Sequence, residues 1–161
     1  MRPTGIDTFA MTNPALTSVL LWQFVKSYAK DGETGPSLSI CFIVLPIVMS
    51  RPTMQSFDGT NVRTGFLTWL TRHPEFILQL PDRVSAAREL TADALRFGVA
   101  YRLFSIKRDG TLSVNPKAIS VSNQRVGQDE RVRMLKIASH LGEWTRKIPE
   151  ATVFYSLGMT P

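Results

Sequence analysis

The chain has 161 residues, 43% of them hydrophobic and 20% charged, with a formal net charge of +6. That much apolar material supports a packed core and excludes a disordered chain, while the positive balance permits nucleic acid, an anionic membrane surface or an acidic partner and selects none of them. A single cysteine, Cys41, excludes an internal disulfide. The longest apolar run, the ten residues 40–49 with Pro46 inside, is too short to span a bilayer, so the expected setting is a reduced cytoplasm without membrane contact.

The length predicts one domain, with a loose N-terminal arm over residues 1–11. Asn13-Pro14 then marks a sharp helix start, because Asn can cap free backbone N–H groups and proline at the first helical position loses nothing. Leu16, Leu20, Phe24 and Tyr28 form a stripe on the helix over 15–30, widened by Leu21 and Val25. So wide an apolar face implies burial on much of the circumference, by the chain itself or by a partner. Residues 31–36 read as a polar loop. The run 38–49 is open: its β-branched content suits a buried strand, whereas Pro46 argues against a central one, with a kinked helix as the alternative. Arg51-Pro52-Thr53 begins a turn region reaching Asp58-Gly59. Thr60 or Asn61 starts a short helix anchored by Phe66, Trp69 and Leu70. Pro74 opens another through Leu80, and Pro81 restarts the chain into a longer one.

Residues 90–114 change period in mid-course. Leu90, Ala94, Phe97, Gly98 and Tyr101 recur at helical steps, then 104–106 and 111–114 alternate around Asp109-Gly110. Asp-Gly between alternating runs predicts a hairpin with a type I′ turn. A helix leading into a basic-tipped hairpin is the outline of a winged helix, with the wing at about 104–114. The expected fold class is therefore mainly α, a helical domain with a winged-helix-like helix plus β-hairpin. Residues 115–127 are polar and irregular. A last long helix over about 128–147 carries Met134, Ile137, Leu141, Trp144 and Ile148 on one stripe, and the apolar tail to Pro161 is expected to dock.

Enzyme chemistry has no evident carrier. His73 and His140 stand far apart in sequence without further ligands at metal spacing. Cys41 lies in an apolar run that offers no basic neighbour to make a thiolate, and no glycine-rich phosphate loop is present. The expectation is a non-enzyme needing neither cofactor nor metal. Six cations are candidates for phosphate contact: Lys107 and Arg108 at the wing tip, Arg96 and Arg102 along the preceding helix, and Arg131 and Arg133 near the start of the last helix. The plain alternative is solvated surface charge. A stand-alone winged-helix DNA-binding regulator fits these cations.

Several segments in order carry a family resemblance: NPALTSVLLWQFVKSY (13–28), FIVLPIV (42–48) with RPT (51–53), TWLTRHPE (68–75), the hairpin, ASHLGEW (138–144) and VFYSLGMTP (153–161). Together they resemble the middle component of bacterial three-component ABC-ATPase conflict systems, such as the small third subunit of Lamassu anti-phage and anti-plasmid defence. The resemblance implies a non-catalytic accessory subunit binding an SMC-like ATPase, working beside an effector nuclease and helping to sense foreign double-stranded DNA. It also favours helix for 38–49. In that role the partner-facing residues are expected on the first helix, at Leu16, Leu20, Trp22, Phe24 and Tyr28, and on the tail, at Phe154, Tyr155 and Leu157.

Overall fold

A computed structural model describes residues 13–120 and 130–161. The arm expected over 1–11, and the loop and first turn expected over 121–129, lie outside the described residues. The remainder is mainly helical with one small antiparallel hairpin.

Helix α1 (Pro14–Tyr28) starts as its sequence dictates, with Asn13 Oδ1 accepting from the Leu16 N–H at 3.2 Å. Leu20, Leu21, Trp22, Phe24 and Val25 are all fully buried. These residues point round most of the helix, so α1 is the central rod and not one wall of a layer. Its buried Thr17 and Ser18 hydroxyls donate to carbonyls one turn back, at 3.1 and 2.8 Å, which removes the cost of unpaired polar atoms.

Residues 40–48 resolve as helix. A 3-10 turn, Ile40–Ile43, runs into α2 (Val44–Val48). Pro46 falls in the first turn of α2, where a missing N–H matters least. Ile43, Val44, Leu45, Ile47 and Val48 are fully buried. A short helix covered on every side has no polar face, which is why the segment also matches a strand in composition.

Three boundaries differ from expectation. The stretch at Arg51-Pro52-Thr53 is helix α3 (Arg51–Ser56), with Pro52 in its first turn. No helix begins at Thr60 or Asn61. There the Asn61 side chain accepts from the Arg63 N–H at 2.8 Å, a local turn that competes with helix, and α4 (Phe66–Arg72) starts after Gly65. Pro81 does not restart the chain, because α5 (Glu75–Ala86) continues through it. Leu80 before the proline is buried, and Arg83 after it donates to the Pro46 carbonyl and to Thr53, so the helix is held on both sides of its missing hydrogen bond.

Helix α6 (Arg88–Ala100) leads into β1 (Phe104–Ile106) and β2 (Leu112–Val114), paired Phe104 to Val114, Ser105 to Ser113 and Ile106 to Leu112. The turn is not type I′. Only Gly110 has positive φ, at 82°; the Gly110 N–H bonds the Lys107 carbonyl at 3.0 Å and the Lys107 N–H bonds the Thr111 carbonyl at 2.8 Å. This is a three-residue loop, in which glycine takes the one left-handed position after an ordinary turn. The chain ends with α7 (Glu130–Thr145) and α8 (Glu150–Ser156). On the tail, Val153, Phe154 and Leu157 are buried.

The core has an aromatic centre. Phe57 stacks on Trp144 at 5.1 Å and meets Trp69 at 5.0 Å, with Phe66 and Phe76 on the far side of Trp69. All three tryptophans are buried, and each indole N–H finds an acceptor: Asn115 O for Trp22, Ser56 Oγ for Trp69 and Asn61 O for Trp144.

Helices α1 and α7 cross in close contact at Gly142. A Cβ on Gly142 would lie 2.6 Å from the Phe24 carbonyl oxygen and 3.0 Å from the Tyr28 nitrogen. Beside it the Ser27 and Ser139 hydroxyls are 2.9 Å apart and share a hydrogen bond. Backbone atoms cannot step aside as a side-chain tip can. Gly142→Ala is therefore expected to destabilise the fold by about 1–3 kcal/mol, as overpacking does, and to lower the urea midpoint at constant slope. An unchanged midpoint would mean that the two helices do not touch here.

Candidate functional site

The end of α6 and the hairpin form one continuous unit. Helix α6 closes with two overlapping hydrogen bonds, Arg102 N–H to the Val99 carbonyl at 3.1 Å and Leu103 N–H to the Gly98 carbonyl at 2.8 Å. This closure usually carries glycine at the reversing residue, because the backbone turns left-handed there. Here the residue is Arg102, at φ 59°, a conformation costing a residue with a Cβ roughly 1 kcal/mol. The Asn115 side-chain amide donates to the Arg102 carbonyl at 3.3 Å and braces the turn. Phe104 then sets its ring against Gly98, where a Cβ would come within 2.2 Å of it.

The hairpin does not stand free. The Leu112 N–H bonds the Pro36 carbonyl at 2.8 Å, the Leu38 N–H bonds the Gly110 carbonyl at 2.9 Å, and Ser37 bridges to Thr111. The Ser37 hydroxyl also donates to Glu150 at the start of α8. Residues 36–38 thus cover the outer edge of β2. Near this brace lies an open cleft of about 510 Å³, lined by Lys26, Lys30 and Lys107 together with Asp31 and Glu33. Lys26 sits over the Trp22 ring at 4.8 Å, and Lys30 pairs with Glu143 at 3.1 Å.

The six expected DNA-facing cations divide. Arg96, Arg102, Lys107 and Arg108 are exposed on the α6–hairpin unit, Arg96 being paired with Asp93 at 2.7 Å. Arg131 and Arg133 belong to the first turn of α7. Arg133 bonds Asp58 at 2.6 Å and the Met54 carbonyl at 3.3 Å, which fastens α7 to the end of α3.

The expected partner-facing set is mostly interior. Leu20, Trp22, Phe24 and Leu157 are fully buried and Phe154 nearly so; Leu16 and Tyr28 are half-buried. The stripe on α1 is covered by this chain's own α6 and α7. Of the eight residues only Tyr155 is open, 65% exposed. The exposed apolar residues that sequence reasoning missed include Leu78 on α5, 83% exposed, and Leu67 on α4. Tyr101 falls at the helical spacing of Leu90, Ala94, Phe97 and Gly98, yet it is 67% exposed, because the helix ends at Ala100 and the chain reverses at Arg102.

Asp109, Cys41 and Glu143 are among the titratable groups shifted by an identifiable cause. The Thr111 hydroxyl and N–H, at 2.7 and 3.0 Å, hold the Asp109 carboxyl below its usual range. Burial pushes the Cys41 thiol far up and keeps it protonated. For Glu143, burial acts to raise the pKa, but Lys30 and Arg146 outweigh it and the net shift is downward. Arg146 lies 3.4 Å from Glu143 and 3.1 Å from Glu33, so this network ties the end of α7 to the loop bordering the cleft. Among the described residues no group of three His, Cys, Asp or Glu is placed to hold a metal ion, and no helix is long and apolar enough to cross a membrane.

Residues 8–161 match the model of a component of ABC-three component (ABC-3C) systems. The chain belongs to that family, Middle Component 3. No curated protein and no solved structure matches it.

The Glu143 network gives a pH expectation. A carboxyl held below its ordinary pKa contributes stability that is fully present above the unfolded value, about pH 4, and disappears as pH falls through the depressed folded value. Urea melts from pH 7 down to pH ~3 should therefore show an acid loss that Glu143→Gln reduces, the variant being weaker than the parent at neutral pH. Parallel curves for the two proteins would remove the network from the acid response.

Proposed function

We propose that this chain is a non-catalytic accessory subunit of a cytoplasmic defence complex. In it the chain binds an SMC-like ATPase and helps couple recognition of foreign DNA to an effector nuclease, as in systems of the Lamassu kind. The observation that carries the reading is the family match over nearly the whole chain, since a middle component implies companion components. In this reading the α6–hairpin unit is a winged-helix-like block whose exposed Lys107 and Arg108 meet DNA phosphates. The open apolar residues Leu78 and Tyr155 are the anchors offered to the ATPase, because a partner that covers large exposed apolar side chains gains by removing them from water.

The alternative is a stand-alone winged-helix regulator, favoured by the two exposed cations at the hairpin tip. It requires sequence-specific binding that persists at moderate salt, because base contacts then add to phosphate contacts.

Co-expression with the ATPase and effector of its own system, which the first reading requires, tests that reading. The chain should co-elute with the ATPase, and Leu78→Asp should weaken that capture about tenfold while leaving the melting curve in place. A monodisperse monomer that ignores both would refute the accessory role.

A further inference from the structure

The end of α6 carries an arrangement that phosphate contact alone does not need. Tyr101 and Phe97 stack with centroids 4.2 Å apart and planes 21° from parallel. Phe97 is half-buried, while Tyr101 is 67% exposed. One face of the tyrosine ring is thus backed by an aromatic neighbour, and much of the ring remains open. The surrounding charge is predominantly positive. Between residues 93 and 117 the cations are Arg96, Arg102, Lys107, Arg108 and Lys117, against two carboxylates, Asp93, which pairs with Arg96, and Asp109. Asp109 is itself engaged by Thr111. Lys107 further lines a cleft with Lys26 and Lys30, which Asp31 and Glu33 also line. Next to the open ring stands Arg102, occupying the left-handed position where glycine carries no strain. A cation kept where the backbone favours glycine points to work done by its side chain.

We propose that the Tyr101–Phe97 stack is a base-stacking site for single-stranded nucleic acid. An unpaired base lies on the open face of Tyr101, and Arg102 with the hairpin cations holds the flanking phosphates. Aromatic rings beside a basic track are the means by which proteins bind single strands without reading sequence, since every base has a flat face. In a duplex the bases are stacked on each other and unavailable to the ring. The inference deepens the DNA contact proposed above but does not depend on the ATPase, so it is tested on this chain alone.

The test is fluorescence anisotropy with a labelled oligothymidylate of about a dozen nucleotides. It is run beside an abasic strand, a duplex of the same length and the matching RNA strand, across a salt series. The base-bearing single strand should bind at least about fivefold tighter than the abasic one. The RNA strand tells which sugar is accepted, and preference for either sugar supports the site. Tyr101→Ala should reduce binding to the abasic level, and Tyr101→Phe should retain it. Arg102→Gly should weaken binding and lower the salt slope by about 0.7, yet leave the unfolding midpoint no lower than the parent's. That combination cannot come from a merely structural arginine. Abasic or duplex binding equal to the single strand, or Tyr101→Ala equal to the parent, would overturn the proposal. So would a Tyr101→Ala protein that keeps its oligonucleotide affinity and loses ATPase capture, because the ring would then be a protein contact.

Discussion

The fold depends on two helices, α1 (Pro14–Tyr28) and α7 (Glu130–Thr145), meeting with no side chain of α7 between them at Gly142. Where the Phe24 carbonyl and Tyr28 nitrogen occupy the space a Cβ would need, α7 is drawn onto the α1 backbone. That closeness sets what α1 can bury elsewhere. With α7 on one side and α6 on another, the apolar circumference of α1 is closed, and Trp22 reaches across to the Asn115 carbonyl at 2.8 Å. Asn115 in turn braces the Arg102 turn. The position of the basic unit is therefore linked, through one indole and one amide, to the central helix.

The elements easiest to read were those whose signals are local. Asn13-Pro14, the stripe from Met134 to Trp144 and the Asp-Gly between alternating runs each specify an element within a few residues. The misread boundaries all involve proline or a competing turn. Pro52 and Pro46 sit in first turns, where proline is harmless, while Pro81 sits inside a helix. Nothing adjacent to Pro81 distinguishes it. What holds α5 together is Arg83 reaching Thr53, thirty residues away in sequence. The turn at Gly110 was legible as a turn but not as a type, because Asp-Gly serves both the two-residue and the three-residue loop.

The surface was less legible than the core for a related reason. An apolar stripe states that a residue will be covered and does not say by what. Leu20, Trp22 and Phe24 were read as partner-facing, and they are covered by α6 and α7. Tyr101 shares the periodic face of α6 with the buried Ala94 and Gly98, and it is open. Both outcomes follow from where helices stop and cross, which periodicity does not encode. Charge was more informative. Four of the six nominated cations lie on one unit, since they are close in sequence and the hairpin keeps them so. Arg133 left the group because Asp58, distant in sequence, offered it a carboxylate at 2.6 Å.

The end of α6 sets stability against exposure. A glycine at position 102 would relieve a left-handed strain of roughly 1 kcal/mol, and a small residue at 101 would remove a large ring from water. Two adjacent residues that both decline the easier choice are more informative than either alone, since strain and exposure arise from different physical causes. The fold does not need Arg102 for its charge, because the Schellman-type hydrogen bonds there are made by backbone groups. Nor does the fold need the tyrosine ring to stand largely in solvent for packing. A ligand that presents a flat apolar face beside negative charge satisfies both residues at once, and a nucleotide is such a ligand.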